Sequence, residues 1–417
     1  MKLLFVHQNM PGQYRELLNW LVAHTNHEIA FLTQRENIPR TDKVLTQVYK
    51  PHRVPGQDAY GLSRVWEQAA GAGYGAALAA RALQADHGFK PDIVIGHVGW
   101  GELTFFKDVW PEVPIIGYFE YFYRLEGGLV GYDNKDEITS DTGFLLRARN
   151  TVPLVNIETV DLAQCPTYWQ RDRFPSSFHD RMYVCHDGIR TDVLTANPDA
   201  SLSSKRLKRT LTRDDEIVTY VARNLETARG FHVLMRALPR IQRARPNARV
   251  LIVGGDGTSY GSADKSQTSL RRRMQDEVGA DLDMDRLHFL GRVPYASFRK
   301  ILQISRCHIY LTKPFVLSWS VMEAMAMQAT IVASDVAPVR EMITHDETGM
   351  LVDFLNVDAV ADQVIDVLKA PKDYAHLGPA ARTFIQSKHD FVTRCLPEHL
   401  RQINGLVPKA LTIEIPT

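Results

Sequence analysis

The chain contains two successive sets of short apolar segments that alternate with longer segments of helical periodicity. The first set begins with KLLFVH (2–7) and the second with IVTYVA (217–222). Short apolar runs separated by amphipathic helices are typical of parallel sheets covered by helices on both faces. The sequence therefore predicts an α/β protein built from two Rossmann-like, doubly wound domains that face a central cleft.

Polar residues lie at the ends of two predicted strands of the first set. DIVIGH (92–97) ends in His97, and PIIGYFEYFYR (114–124) contains Glu120 near its end. Ligands of open α/β sheets bind beyond the carboxyl ends of the strands, so both residues are site candidates. A hydrogen-bonded loop histidine is the alternative for His97. Gly12, in the turn after the first strand, allows close approach of backbone to a ligand or serves a simple turn.

A break in the pattern separates the two sets. The stretch TANPDASLSSKRLKRTLTRD lacks apolar periodicity and gathers lysine and arginine. We interpret 191–214 as a linker between an N-terminal domain (1–190) and a C-terminal domain (215–388). The basic run KRLKR suits either peripheral contact with an acidic membrane surface or simple solvation.

Composition excludes several classes of protein. The 417 residues are 45% hydrophobic and 23% charged, with a formal net charge of +1, which gives no overall field for nucleic acid. The four cysteines form no CxxC pair, which favours a reduced, cytoplasmic compartment. No apolar run approaches the roughly 20 residues that a membrane span needs.

Three charged residues of the second set suit a nucleotide diphosphate. Arg223 and Arg229 follow a predicted strand in TYVARNLETARGF, and guanidinium groups bind phosphate oxygens in pairs. Glu323 is a lone carboxylate in an apolar helix predicted over 321–328, where it either caps the helix start or holds a pair of ligand hydroxyls. Arginines for the diphosphate and a carboxylate for the ribose describe a nucleotide-sugar site.

Five segments occur in the order and spacing of one known family. They are HQNMPG, VAR followed by ARG, VLIVGGDG, LHFLGRVP and VMEAMAMQATIVASDVAPVRE. Together they resemble the retaining glycosyltransferases of family 4, which have the GT-B fold. The resemblance implies a hexosyltransferase that uses a UDP- or GDP-linked sugar. It also implies a C-terminal helix, within 389–417, that crosses back to the N-terminal domain.

The resemblance implies roles for individual residues. Arg223 and Arg229 would hold the diphosphate and stabilise it as it departs, and Glu323 would accept hydrogen bonds from the ribose. The backbone of Arg292 and Val293 would contact the base. The remaining implied donor contacts are Gly12 and the amides of Ser318 and Trp319 at a helix N-terminus.

The chain departs from the family at two positions. The first glutamate of the family's Glu-x7-Glu motif falls on Phe315, and the family's active-site histidine falls on Glu120. We expect Glu120 to act in catalysis by accepting a hydrogen bond from a sugar or acceptor hydroxyl, in place of the carboxylate lost at Phe315. His97, Phe315 and Leu317 are further site candidates.

The resemblance implies no cofactor and no metal, and the acceptor is a glycan, a lipid-linked sugar or another hydroxyl compound. DLDMD (281–285) contains an Asp-x-Asp, but it precedes a strand and reads as a solvated turn. Two alternatives remain open at this point. One is a GT-B epimerase or phosphorylase, and the other is a nucleotide-sugar-binding partner with weak or lost catalysis, suggested by Phe315.

Overall fold

The computed structural model describes residues 1–38, 42–134, 138–203, 209–260 and 268–416, which divide into two compact units. The first unit comprises Met1–Val130, Asp136–Gly188 and Phe391–Thr417. The second comprises Gly131–Lys135 and Ile189–Asp390. Each unit contains a parallel sheet connected by helices, which confirms the predicted α/β class.

The described residues of the first unit form seven strands. They are β1 (Lys2–Val6), β2 (Glu28–Thr33), β3 (Leu45–Val48), β4 (Ile93–His97), β5 (Ile115–Tyr118), β6 (Leu162–Cys165) and β7 (Met182–Val184). All pair in parallel, in the order β3-β2-β1-β4-β5-β6-β7. Its helices are α1 (Arg15–His24), α2 (Arg64–His87), α3 (Phe106–Val109), α4 (Thr142–Arg149), α5 (Thr151–Thr159) and α6 (Tyr168–Arg173), with the C-terminal α14 (Leu396–Leu406).

The second unit has a six-stranded parallel sheet and a small antiparallel pair. The sheet strands are β10 (Ile217–Asn224), β11 (Arg249–Gly255), β12 (Leu287–Gly291), β13 (Cys307–Tyr310), β14 (Ile331–Ser334) and β15 (Met350–Val352). Their order is β12-β11-β10-β13-β14-β15, and β8 (Ser201–Ser203) pairs with β9 (Thr210–Thr212). The helices are α7 (Phe231–Ala244), α8 (Leu270–Val278), α9 (Tyr295–Gln303), α10 (Trp319–Ala326), α11 (Ala337–Arg340), α12 (Val357–Lys369) and α13 (Leu377–Lys388).

Both sheets reverse their direction of winding at one place. In each sheet the first strand lies beside the fourth strand of its set, so β1 neighbours β4 and β10 neighbours β13. Connections leave on opposite sides at such a switch point, which opens a crevice at the carboxyl ends of the two strands. These two crevices are where the fold itself places a ligand site.

The C-terminal segment packs in the first unit. A π-helical turn (Phe391–Cys395) leads into α14, and Phe391, Leu396 and Leu400 belong to the same buried cluster as Leu3 and Phe5 of β1. Burial of each of these side chains stabilises the fold by about 1.5–3 kcal/mol. The segment is therefore part of the unit's core. Within the described ranges, no helix combines the length and apolar character needed to cross a membrane.

The segment predicted as a linker is instead part of the second unit, which begins at Ile189 rather than at residue 215. Leu194 is buried beside α10, and Ala200 and Leu211 are buried against β10 and β11. These apolar residues are too widely spaced in sequence to show a helical or strand period. The antiparallel pairing of β8 with β9 brings Ala200 and Leu211 into one cluster. Most of KRLKR (205–209) lies outside the described residues.

A short excursion of the chain around Asp133 packs into the second unit, which the sequence analysis did not anticipate. The carboxylate of Asp133 pairs with the ammonium group of Lys313 and lies 3.1 Å from His232 Nε2. The neighbouring Tyr132 packs edge-on against Phe354, with ring centroids 5.7 Å apart. Burial acts to raise the pKa of Asp133, but hydrogen bonds from His232 and Lys313 outweigh it and bring the pKa to about 2.

The Asp133→Asn variant should therefore unfold more easily, by about 2–4 kcal/mol, because Lys313 is buried and would lose its anionic partner. A folded-state pKa below the ordinary value gives stability that is present above about pH 4 and lost as pH falls towards 2. Urea unfolding at pH 7 and at pH 3 would measure this.

The exposed Asp281→Asn is the matched control and should unfold like the parent protein at both pH values. An Asp133→Asn midpoint equal to that of the parent at pH 7, or a deficit that does not shrink on acidification, would contradict the assigned ion pair.

Candidate functional site

The crevice of the second unit lies between the ends of β10 and β13. Arg223 is near the end of β10, and its side chain is exposed. Arg229 ends a 3-10 turn (Thr227–Arg229) and is buried. Gly230 follows in the left-handed region (φ 69°), where a Cβ atom would lie 2.4 Å from Leu311 Cβ. Glycine at this position therefore lets the arginine loop approach the end of β13 before α7 begins.

Arg229 is a buried cation. The residue is 5% exposed, and its Nη1 donates a hydrogen bond to Thr312 Oγ1 at 3.1 Å. Its guanidinium carbon lies 4.9 Å from the ring centre of Tyr260 and 5.8 Å from that of Phe315. Among the described residues, Arg229 forms no ion pair with a carboxylate. The nearby Glu226 carboxylate also acts on the guanidinium electrostatically. A buried cation that forms no ion pair favours an anionic ligand, because such a ligand can make the direct charge-assisted contact.

Arg229 remains charged at any physiological pH. Burial acts to lower its pKa, but Tyr310, Tyr260 and the Glu226 carboxylate outweigh that effect, so the pKa lies above its ordinary value. The positive charge is therefore fixed in place, as electrostatic stabilisation of a developing anion requires.

Glu323 lies in the middle of α10 rather than at its start. The helix begins at Trp319, two residues earlier than predicted, because Ser318 is its N-cap and accepts from the Ser320 amide. The capping role considered for Glu323 is therefore excluded. Its carboxylate is buried and accepts a hydrogen bond from the Tyr295 hydroxyl at 2.7 Å.

The predicted contacts around Glu323 are placed as follows. The Ser318 amide, which was expected to donate to an anion, donates instead to the Tyr310 hydroxyl at 2.8 Å. Trp319 is the first residue of α10 and is half-buried, as is Leu317. Phe315 is buried against Tyr260, with ring centroids 5.1 Å apart. The site residue Phe315 therefore presents an aromatic face where the family motif has a carboxylate.

Arg292 and Val293 follow β12. Arg292 is exposed, and its Nη2 donates to Asn224 Oδ1 at 3.2 Å, while Val293 is half-buried. Asn224 is the last residue of β10, so this bond connects the two loops at the edge of the sheet. The Asp-x-Asp of 281–285 lies in a turn, where Asp283 accepts from Arg286 and from the Asp285 amide. No group of three metal-binding side chains occurs within the part of the chain that the structure describes.

The crevice of the first unit holds a polar group that we call the histidine cluster: His7, Gln13, His97, Trp100 and Glu120. His7 follows β1, and His97 is the last residue of the adjacent β4. Glu120 lies two residues beyond the end of β5, because that strand stops at Tyr118 rather than continuing through the aromatic run. The cluster thus brings together both polar residues predicted in this unit.

Backbone amides fix the protonation pattern of the two histidines. His7 Nδ1 accepts from the Asn9 amide, and His97 Nδ1 accepts from the Gly99 amide, each at 2.9 Å. An accepting Nδ1 leaves the proton on Nε2 of a neutral imidazole. Burial and the neighbouring His97 lower the pKa of His7 to about 3, so His7 is neutral at pH 7.

Glu120 is the end point of these hydrogen bonds. His7 Nε2 donates to Gln13 Oε1 at 2.6 Å, and Gln13 Nε2 donates to Glu120 Oε1 at 3.3 Å. His97 Nε2 lies 3.7 Å from Glu120 Oε2. Burial acts to raise the pKa of Glu120, but the nearby His97 and His7 and the Gln13 amide outweigh it, so the pKa lies below its ordinary value. Glu120 is consequently a carboxylate at neutral pH.

Aromatic packing orders the same cluster. The ring of Trp100 stacks on His97 at 4.1 Å and meets His7 edge-on at 5.1 Å. Six residues of the two crevices were not predicted from the sequence: His7, Gln13 and Trp100 in the first unit, and Asn224, Glu226 and Tyr260 in the second. His7 could have been found by the rule that selected His97, since it follows a predicted strand directly. Asn224 could have been found by the same rule, since it ends β10. Gln13, Trp100, Glu226 and Tyr260 lie in turns and loops whose folding no local pattern specifies.

Gly12 is required by the histidine cluster. It adopts a left-handed conformation (φ 56°), and a Cβ atom there would lie 2.6 Å from the His7 ring. The role of this glycine that the structure supports is thus to make room for the imidazole.

The Gly12→Ala variant should lose about 2–4 kcal/mol of unfolding free energy, because it adds a steric clash to a left-handed backbone. Gly88→Ala is the matched control: φ is 61° and no atom lies within 4 Å of the added carbon, so only about 1–2 kcal/mol should be lost. Urea denaturation of both variants would measure the difference.

The same substitution in a His7→Ala background should cost no more than Gly88→Ala, because the clashing ring is absent. Equal losses for Gly12→Ala and Gly88→Ala in the parent protein would show that His7 imposes no constraint.

The fold and the two crevices define a class of protein with paired Rossmann-like units and a buried cation at one switch point. Residues 25–194 match the family model described as glycosyl transferase family 4 group, and residues 204–384 match that of glycosyl transferases group 1. The two matches cover most of the chain. The chain belongs to the family 4 glycosyltransferases with the GT-B fold.

Curated relatives agree with this membership. A GDP-mannose-dependent α-(1-6)-phosphatidylinositol monomannoside mannosyltransferase from Mycolicibacterium smegmatis is 24% identical over 250 residues, covering 56% of this chain and 60% of the relative. A D-inositol 3-phosphate glycosyltransferase from Corynebacterium glutamicum is 25% identical over 300 residues, covering 69% and 66%. The first of these matches spans about six tenths of its relative's length.

Solved structures share the fold. Sucrose-phosphate synthase from Thermosynechococcus elongatus aligns with a TM-score of 0.72 at 16% identity, covering 97% of this chain and 99% of that one. HepE from Anabaena, in complex with UDP, aligns with a TM-score of 0.65 at 13% identity, covering 97% and 100%. The predicted GT-B fold is thereby confirmed.

Proposed function

We propose that this protein is a hexosyltransferase that moves a sugar from a nucleoside diphosphate sugar to a hydroxyl acceptor, with retention and without a metal. The observation that carries the proposal is Arg229, a buried guanidinium that forms no ion pair with a carboxylate among the described residues. Its place at the β10–β13 crevice supports a diphosphate as the missing anion. Arg223, exposed near the end of β10, is the second cation of this site.

The proposed reaction needs no protein nucleophile and forms no covalent intermediate with the protein. The bond between the sugar C1 and the diphosphate oxygen breaks, and its electron pair leaves with the diphosphate. The bond between C1 and the acceptor oxygen forms on the same face, and the acceptor proton passes to a donor phosphate oxygen. Arg223 and Arg229 supply fixed positive charge to the leaving group, which is the contribution a metal ion would otherwise make.

Other residues of the second unit would orient the nucleotide. Glu323, which accepts a hydrogen bond from Tyr295, would also accept hydrogen bonds from the ribose hydroxyls. The backbone after β12, at Arg292 and Val293, would contact the base. The amide of Trp319, at the start of α10, is the favoured helix contact for an anion, because the Ser318 amide donates to Tyr310.

The names of the relatives favour one donor and acceptor class. One relative is described as GDP-mannose-dependent, and both are described by inositol-containing acceptors. HepE, which shares only the fold, is described in complex with UDP. We therefore propose a GDP- or UDP-linked hexose as donor and a polyol or its phosphorylated lipid as acceptor, the latter reached by peripheral contact with a membrane.

A nucleotide panel tests the donor site. Melting temperatures with GDP, UDP and ADP and their sugars, all in EDTA, should rise for one nucleotide series, because a ligand at 100 times its dissociation constant adds about 2.7 kcal/mol. The Arg229→Met variant should abolish that rise and lower kcat/KM for transfer about 10²–10³-fold, since one fixed donor to a developing anion contributes about 2.7–4 kcal/mol.

Arg243→Met is the matched control, an exposed arginine on α7 that should leave both measurements unchanged. Binding that appears only with added Mg²⁺ would contradict the metal-free site. Nucleotide binding without transfer or hydrolysis would favour a binding partner that has lost catalysis, the alternative that Phe315 suggests.

Glu120 is proposed to accept a hydrogen bond from a reacting hydroxyl. Glu120→Gln keeps the shape but removes the charge, so kcat should fall about 10²-fold with little change in nucleotide affinity. Because the pKa of Glu120 lies below its ordinary value, the parent enzyme should keep this carboxylate ionised down to mildly acidic pH. Steady-state kinetics from pH 5 to 8 would measure both effects.

The exposed Glu158→Gln on α5 provides a control of equal chemistry in the same unit. Unchanged turnover in Glu120→Gln, with unchanged donor binding, would remove Glu120 from the mechanism and leave it as a structural partner of Gln13 and His97.

A further inference from the structure

Tyr260 lies directly on the buried cation of the second unit. It follows the glycine loop after β11, and its ring centre is 4.9 Å from the guanidinium carbon of Arg229. Tyr260 also acts electrostatically on the guanidinium and contributes to the raised pKa of Arg229. On the other side, Phe315 lies 5.1 Å from the Tyr260 ring. Tyr260 and Phe315 therefore border the guanidinium and leave Arg229 5% exposed.

The loop that carries Tyr260 is fastened to the arginine loop. The amides of Ser259 and Tyr260 both donate to Glu226 Oε2, at 3.2 and 3.0 Å. Asn224 Nδ2 donates to the Ser259 hydroxyl at 2.6 Å. Glu226 and Asn224 belong to the stretch that ends in Arg229, so three hydrogen bonds hold Tyr260 against the cation whose charge the proposed reaction uses.

This position of Tyr260 conflicts with direct access of a phosphate to Arg229. A charge-assisted hydrogen bond brings a phosphate oxygen to about 2.7–2.9 Å from a guanidinium nitrogen. In the structure, Thr312 accepts a hydrogen bond from this side chain, and the rings of Tyr260 and Phe315 border it. A neutral phenol and a cation–π contact are weaker partners than a diphosphate, so a nucleotide can take their place.

We propose that Tyr260 is a donor-site residue that competes with the nucleotide's diphosphate for Arg229. Glu226 and Asn224 hold the tyrosine in place, and a nucleoside diphosphate or its sugar must displace it to form the charge-assisted contact. The proposal rests on the proposed function, because it takes the diphosphate as the ligand of Arg229. It adds that donor affinity is set by the balance between Tyr260 and phosphate as well as by the phosphate contacts.

Competition has a characteristic sign. When only a fraction of the protein is open to a ligand, the apparent dissociation constant equals the intrinsic constant divided by that fraction, so it is higher. Removing the competitor therefore tightens binding, whereas removing a residue that supports the ligand weakens it. The two roles of Tyr260 are distinguished by the direction of one measured change.

The experiment is a calorimetric titration with GDP and with UDP in EDTA, without a sugar or acceptor. Tyr260→Ala should lower the dissociation constant of whichever nucleotide binds by about three- to tenfold. Tyr260→Phe, which keeps the ring and removes the hydroxyl, should lower it by a smaller factor. Glu226→Gln, which weakens the fastening of the loop, should act in the same direction as Tyr260→Ala.

Tyr374→Phe is the matched control, since its hydroxyl accepts a hydrogen bond from Gln363 at 3.3 Å elsewhere in the same unit. It should leave the dissociation constant unchanged. Tyr260→Phe keeps the packing of the loop, so it tests the competition even where Tyr260→Ala does not fold.

Two other results overturn the proposal in different ways. Weaker or unchanged binding in the Tyr260 variants, with binding abolished in Arg229→Met, would show that the diphosphate reaches Arg229 without competition from Tyr260. Equal binding, or equal absence of binding, in the parent and Arg229→Met proteins would show that no diphosphate contacts Arg229. The second result would overturn the proposed function together with the competition.

Discussion

The parallel pairing of strands controls where chemistry can occur in this protein. All strands of a parallel sheet end at the same edge, and the winding of each sheet reverses between two neighbouring strands, β1 and β4 in one unit and β10 and β13 in the other. Side chains just beyond these strand ends are brought together whatever their separation in sequence. His7 and His97 meet in this way in the first unit, and Arg229 and Thr312 in the second.

The two crevices hold groups of opposite charge: a carboxylate in the first unit and a guanidinium in the second. In the first unit, the imidazole groups of His7 and His97 and the Gln13 amide surround Glu120 and keep it ionised. In the second unit, aromatic rings and the Thr312 hydroxyl border Arg229, which forms no ion pair among the described residues. A carboxylate held by donors is suited to accept from a hydroxyl group, while a fixed cation outside an ion pair is suited to bind an anion.

Local pattern predicted the elements better than it predicted the loops. Strands that are buried on both faces consist of apolar runs, so β1, β4 and β10 were recognisable from the sequence. The motifs between Arg223 and Glu323 identified the family. The stretch 191–214 was misjudged because its buried residues are brought together by a hairpin and not by a period. Glu323 was expected at a helix start, but the Ser318 cap moved that start two residues earlier.

The sequence by itself determined the α/β class, the two strand sets and the residue types at their ends, because burial and strand period are local properties of a chain. Only the tertiary structure decided that Glu120 receives hydrogen bonds through Gln13, and that Tyr260 lies on Arg229. Those pairs are separated by 107 and 31 positions, and no local rule relates them. Their proximity follows from strand order and loop closure, which depend on the whole unit folding at once.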